Sequence, residues 1–315
     1  MGARFIVAAL IGWCAAWAQS GVVFELLKAE GAAGKPPTVV FSLKDAAGNP
    51  ILPSEMDVLR LTVAGPTSDY AQDVSDSKKE NARPLEGGPA GTYVWQLAAP
   101  IPAGATGSYA VGIAGRRNKD HGANKVLYFS VDSSEVKARR TVVGNEKCNK
   151  CHGTLTSGSS NRVEACVQCH HANATDQKQR PPEQGPAESA DFVVMIHRIH
   201  TGKLQKQPYT LWSNGAHAFN GVAYPGDRRD CEACHTGGSQ HLPLAAGLLN
   251  VVTPRSSINP TPPATAACLG CHDGPAAAKH VARYVKEGQE RCALCHGKDK
   301  PRSVARSHAR KEPAP

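Results

Sequence analysis

In the first half of the chain, apolar residues recur at every second position in short runs. Residues 22–27, 38–43, 57–63, 92–97, 108–113 and 126–131 have this pattern, are rich in β-branched and aromatic residues, and are bounded by Gly, Pro, Asn or Asp. That is the signature of strands with one buried face. Asp45-Ala-Ala-Gly48-Asn49-Pro50 marks a turn between the second and third runs, and glycine–proline clusters bracket the fourth. Six or seven short strands within residues 19–140 predict an Ig-like β-sandwich, with a barrel as the alternative. The polar stretch 66–90 reads as a long surface loop, and His121, in a charged segment, as a solvated loop histidine.

The alternation stops in a charged link at residues 132–147. Beyond it the pattern predicts a second domain, residues 141–308, that is mostly irregular with three helices. One spans 189–201, with Ser189 or Asp191 as cap and Gly202 as stop. The second spans 275–287 and opens on Pro275, and the third spans 301–310. Residues 176–187 and 251–266 are proline-rich and read as irregular, and 309–315 as a disordered tail.

The chain opens with Arg4, an apolar run from 5 to 16 and the small-x-small sequence Ala16-Trp17-Ala18. This predicts a signal peptide over residues 1–18 and export of the rest. The run is too short to span a bilayer as a helix, and bulky Trp13 before Cys14 does not suit lipoprotein processing.

The chemistry of the second half lies in one repeated pentapeptide. Cys-x-x-Cys-His occurs at Cys148/Cys151/His152, Cys166/Cys169/His170, Cys231/Cys234/His235, Cys268/Cys271/His272 and Cys292/Cys295/His296. Two cysteines three apart can add to the two vinyl groups of one haem, and the next histidine then falls under the iron as proximal ligand. Zinc sites pair Cys-x-x-Cys units without needing a histidine after each. A disulfide framework would not keep a two-residue gap five times. Of 11 cysteines only Cys14 lies outside the motifs, so the pattern predicts five covalently attached c-type haems.

A low-spin transfer haem needs a second axial ligand, and 13 histidines less five proximal ones leave eight. His197, His200, His280 and His308 fall on predicted helices, which present an imidazole rigidly. His217 comes next, with His171 and His241 in reserve. Met56, in the β half, and Met195, on an apolar helix, are poor ligand candidates.

Composition adds one exclusion. The formal charge is +9, but the propionates of five haems would contribute about −10. The basic balance is therefore no argument for nucleic-acid binding, and no P-loop, dinucleotide fingerprint or Ser/His/Asp set is present.

The chain resembles the OmcA/MtrC-type outer-surface multihaem cytochromes. The resemblance is carried by Leu59-Arg-Leu-Thr-Val-Ala-Gly-Pro-Thr-Ser-Asp-Tyr70, residues 101–117, Met195-Ile-His-Arg-Ile-His-Thr-Gly202, His217-Ala-Phe219, Tyr224-Pro-Gly-Asp-Arg-Arg-Asp-Cys231, Leu242-Pro-Leu244 and Thr265-Ala-Ala-Cys268. It implies a short form with one β-domain and one five-haem domain. The expected role is electron transfer in periplasmic or outer-surface respiration, to or from metal oxides, chelated metals, flavins or a partner cytochrome or conduit, with the β-domain as a docking or spacing module. Family members often carry a His-Gly between the first two motifs, whereas this chain reads Leu155-Thr-Ser-Gly158-Ser-Ser-Asn-Arg162. His171 or His217 could substitute. Otherwise one haem is five-coordinate, and the alternative function is a multihaem reductase of a small oxyanion.

Overall fold

The computed structural model describes residues 21–309; the predicted signal peptide with Cys14 and residues 310–315 of the predicted tail lie outside the described residues. The first half comprises β1 (Val22–Glu30), β2 (Thr38–Asp45), β3 (Val58–Gly65), β4 (Gln72–Asp76), β5 (Arg83–Pro84), β6 (Thr92–Gln96), β7 (Ser108–Arg117), β8 (Asp120–His121) and β9 (Lys125–Ser130). They form two antiparallel sheets: β1-β2-β6-β5, and β4-β3-β7 with β8 and β9 both paired to β7. The period-2 pattern decides what they bury. Phe24, Val39, Phe41, Leu43 and Trp95 of the first sheet share one core with Leu59, Leu61, Val63, Tyr109, Val111, Ile113 and Phe129 of the second.

All six predicted strands are present. The stretch 66–90 is a correction: it holds β4 and β5, and Tyr70, Asp69 and Asp76 within it are buried. It read as surface because its buried groups are polar, but they are satisfied. Asp76 accepts hydrogen bonds from Trp95 Nε1 (3.3 Å), Ala98 N (3.2 Å) and Lys78 N (2.9 Å). His121 is likewise not a solvated loop residue. It lies in β8 opposite Arg116, partly buried.

The second half contains α1 (Asn145–His152), α2 (Val163–Cys169), α3 (Phe192–Thr201), β10 (Thr210–Trp212), β11 (Ala216–Ala218), α4 (Pro263–Leu269), α5 (Pro275–Tyr284), β12 (Val285–Lys286), β13 (Gln289–Glu290), α6 (Ala293–His296) and α7 (Val304–His308). Of the two possible caps of α3, Asp191 is the one used: its carboxylate accepts from Val193 N and Val194 N. Two expectations are corrected. The helix from Pro275 ends at Tyr284, because Glu287 and Gly288 take positive φ in a tight turn joining β12 to β13. The stretch 251–266 holds the start of α4, since its prolines fall at the cap and first helical position, where a missing N–H costs nothing. No helix among the described residues is long and apolar enough to cross a membrane.

The two halves meet where α2 lies on the outer face of β3, β4, β7 and β9. Val163 and Val167 pack on Ala64, Tyr70 and Ala110. β7 is buried on both sides: its large residues face the inter-sheet core and its small ones face α2. At Gly112 a Cβ would stand 2.1 Å from Gln168 Oε1, so glycine sets the approach of the helix. Asp69 ties the halves further by pairing with Arg139 (3.2 Å) and Arg140 (3.0 Å) and accepting from Leu249 N (3.0 Å).

Candidate functional site

The first motif, Cys148, Cys151 and His152, lies on α1. The second lies on α2 and the residue after it. Asn145 joins them: its amide donates to Asn161 O (2.5 Å), and its carbonyl accepts from Val163 N, the first residue of α2. The third motif sits on a single turn capped by Asp230. The fourth closes α4. The fifth, Cys292, Cys295 and His296, lies at α6. Glu290 links these two, because its carboxylate accepts from Ala264 N (2.8 Å), Thr265 N (2.7 Å) and Thr265 Oγ1 (2.8 Å) while standing two residues before Cys292. It therefore caps the helix that carries Cys268.

Histidines from distant parts of the chain face one another. The ring centroids of His152 and His200 are 6.1 Å apart, those of His197 and His235 6.1 Å, those of His272 and His308 5.9 Å, and those of His280 and His296 6.2 Å. Each pair joins one motif histidine to one histidine outside the motifs. With metal–nitrogen bonds of about 2 Å on each side and a ring radius of about 1 Å added twice, two axial imidazoles on one iron have centroids about 6 Å apart. The donor set thus fits four haems with two axial histidines each.

The second ring nitrogen supports that fit. Nδ1 of His170, His197, His200, His296 and His308 donates to the carbonyls of Ala190 (2.8 Å), Val193 (2.8 Å), Ile196 (2.9 Å), Arg302 (2.7 Å) and Val304 (2.8 Å). His235 Nδ1 lies 3.0 Å from Ser239 Oγ, whose proton goes to Val142 O. A carbonyl can only accept, so the proton stays on Nδ1 and Nε2 keeps its lone pair for a metal. Burial lowers the pKa of His170 and His197, and lowers that of His235 to about 4 with His197 adding to the effect. Burial also lowers His272, followed by the charge of His308. Neutral imidazole is the ligating form.

His217 and His171 do not join this arrangement. In both, Nε2 itself is engaged: His217 Nε2 is 2.7 Å from Ser213 O and His171 Nε2 is 3.4 Å from Asp73 Oδ1. His241 stands beside Gly238 in an open cavity between the third motif and α7, and faces no motif histidine. Met56 is in the β core.

The motif cysteines neighbour one another in a series. Burial pushes the Cys166 thiol up to about 11, with Cys169 and then Cys148 adding to it. Burial raises Cys148, followed by Cys234, and raises Cys231, followed by Cys271. Burial pushes Cys268 up to about 11, followed by Cys292. The order in space is therefore second, first, third, fourth and fifth motif. α3 locks the middle of the series: the Thr201 hydroxyl lies 2.8 Å from His197 O and 3.2 Å from Cys271 Sγ. Gly270, inside the fourth motif, allows this contact, since a Cβ there would stand 2.5 Å from His197 Cβ.

Three of the ten predicted attachment cysteines are exposed, Cys151, Cys268 and Cys295, although the Cys268 sulfur is itself flanked by Cys292. Cys166, by contrast, is only partly exposed. Cys151 and Cys295 are each the second cysteine of a motif on a short surface helix, and neither α1 nor α6 buries any residue of its own. Cys151 still lies near Cys234 and Tyr224, whose acidities it influences, whereas Cys295 stands at the far end of the series. Exposure is compatible with attachment, because a sulfur that adds to a vinyl group must be open to it.

None of the ten described cysteines forms a disulfide, and no group of three or more His, Cys, Asp or Glu among the described residues is arranged around a bare metal ion. The apolar α3 buries only Val194 and Thr201, and leaves Val193 exposed and Phe192, Met195, Ile196 and Ile199 exposed or partly so. Apolar surface of this kind suits the faces of porphyrin rings.

No curated protein sequence matches the chain. Its fold is similar to that of the outer membrane decaheme cytochrome OmcA, with a TM-score of 0.55 and 20% identity over 92% of this chain and 48% of that one. It is also similar to MtrC from Shewanella baltica OS185, with a TM-score of 0.52 and 18% identity over 91% of this chain and 44% of that one. The chain thus spans about half the length of each. Residues 140–309, more than half of the 315, match the family described as outer membrane cytochrome MtrC/MtrF-like, domains II/IV. The chain belongs to that family of multihaem outer-membrane cytochromes.

Proposed function

We propose that the protein is an exported five-haem c-type cytochrome that passes electrons along the haem series. The observation that carries this reading is the set of four imidazole pairs about 6 Å apart, each joining a Cys-x-x-Cys-His motif to a histidine outside it. Bound haem iron takes up and gives back one electron as it cycles between ferric and ferrous. The residues do the rest. Cys148 and Cys151, Cys166 and Cys169, Cys231 and Cys234, Cys268 and Cys271, and Cys292 and Cys295 would hold the haems, each S–H adding across a vinyl double bond to give a thioether. His152, His170, His235, His272 and His296 would be the proximal ligands. His200, His197, His308 and His280 would hold the first, third, fourth and fifth haems from the opposite side. Two strong nitrogen ligands hold an iron's geometry nearly constant between its two oxidation states, which favours transfer over substrate chemistry.

The neighbouring cysteines support an electron path running second, first, third, fourth, fifth, with the β-rich half, an Ig-like β-sandwich docking or spacing module, at the second-haem end. The partner is a flavin, a metal oxide or another cytochrome, in the periplasm or at the outer surface. The test is anaerobic reduction of the haem-loaded protein followed by rapid mixing with a flavin. Reoxidation of all five haems in milliseconds to seconds supports the reading. Haems that stay reduced in the presence of excess oxidised flavin, chelated ferric iron and a partner cytochrome contradict it.

A further inference from the structure

Eight of the 13 histidines form four facing pairs, and His170 of the second motif is in none of them. On the five-haem reading above, we propose that the haem of the second motif has no histidine across its iron and offers an open sixth position to a small exogenous ligand, for which cyanide is the probe.

The four remaining histidines are placed elsewhere. His121 lies in β8, opposite Arg116. His171 and His217 engage their Nε2 atoms with Asp73 and with Ser213 O. His241 borders the cavity next to Cys231 and α7, beyond the first motif in the series. The segment between the first two motifs supplies no imidazole. It makes a tight turn in which Ser157 and Ser160 exchange backbone hydrogen bonds, with Gly158 at φ +59 and open space where a Cβ would be.

The surroundings of this motif are polar. α2 sets Cys166 and Cys169 against the outer face of β3 and β4. There Thr62 Oγ1 is 3.0 Å from Ser75 Oγ, and the Ser75 hydroxyl is 2.9 Å from Asp73 Oδ2. Arg60 donates to the Ser160 hydroxyl (3.3 Å), while its buried Nε has no partner. The Arg60 guanidinium and the Thr62 and Ser75 hydroxyls suit a small polar Lewis base, while the Asp73 carboxylate opposes a net negative charge. The second motif also ends the cysteine series, so a ligand bound there leaves the four paired sites intact.

The test uses the whole haem-loaded protein. Haem content is measured first, then low-temperature EPR of the oxidised form, then optical titration with cyanide. The expected result is five haems per chain, one in five high-spin ferric, and uptake of one cyanide per chain that converts the high-spin signal to low-spin. Five haems that are all low-spin and take up no cyanide overturn the proposal, because a protein ligand then fills the sixth position. A content below five overturns the five-haem reading and the proposal with it. In His171→Ala the high-spin fraction is expected to stay unchanged, and a rise would show that His171 reaches an iron.

Discussion

The His197 ring faces that of His235 across 6.1 Å, with the two planes 18° apart. Three residues further along α3, His200 faces His152. A helix places positions three apart on one side, so α3 serves the third and the first motif together. His197→Met should therefore raise the potential of one haem alone, by on the order of 0.1–0.2 V within the roughly 0.8 V range that axial ligands control. Potentiometric titration of the haem-loaded protein checks this. A shift of several haems, or of none, contradicts the assignment of His197 to the third motif.

Glu290 holds the fourth and fifth motifs in one unit through its three hydrogen bonds to Ala264 and Thr265. Glu290→Ala leaves two helix N–H groups without their acceptor and should cost about 1–3 kcal/mol. Thermal unfolding of the haem-loaded variant measures it. Glu290→Gln, which keeps one acceptor oxygen, should lose less than Glu290→Ala.

Asp176 and Arg180 form a buried pair at 2.7 Å in which each partner is almost fully enclosed. Asp176 also accepts from Glu188 N (2.8 Å) and Trp212 N (3.0 Å). It thereby fixes β10 and the approach to α3. Asp176→Ala strands the guanidinium and should cost about 3–5 kcal/mol. Denaturant unfolding checks this, and a loss below about 1 kcal/mol would contradict the role given to the pair.

Burial pushes the carboxyl of Asp191 up to about 6, against the opposing hydrogen bonds from Val194 and Val193. In the unfolded chain the same group titrates near about 3.9. Between those values the native state holds a proton that the unfolded state has lost. Stability from this group is therefore greatest at low pH, falls as pH rises from about 4 to about 6, and stays at its lower value above, a change on the order of 3 kcal/mol. Asp191→Asn keeps the capping oxygen and removes the charge. Relative to wild type, its stability should rise across that window, and the two should run parallel above it. Unfolding measured from pH 4 to pH 8 decides the sign.

The strands and the motifs were legible in the sequence because each follows a local rule. Alternation names the inner face of β2 and β3, and Cys-x-x-Cys-His carries its chemistry within five residues. What escaped depends on partners far along the chain. β4 reads as polar because its buried Asp76 is satisfied by Trp95 and Ala98, some twenty residues away. α4 hides among prolines because its cap comes from Glu290. The exposure of Cys151, Cys268 and Cys295 is invisible in a motif that is the same in all five copies, since it depends on what packs against the helices that carry them. The histidines on helices were found for the same reason the strands were, since a helix is a local pattern. Which motif each one faces is tertiary information, and so is the orientation that turns Nε2 of His217 toward Ser213.

The most direct measurement is the intact mass of the mature protein, produced with a functioning cytochrome c maturation system and freed of non-covalent ligands. The account predicts the polypeptide mass plus five haems, with no titratable thiol left in the Cys-x-x-Cys-His motifs, the exposed Cys151, Cys268 and Cys295 included. A mass equal to the bare polypeptide, or a chain that binds zinc through free thiols, would contradict it.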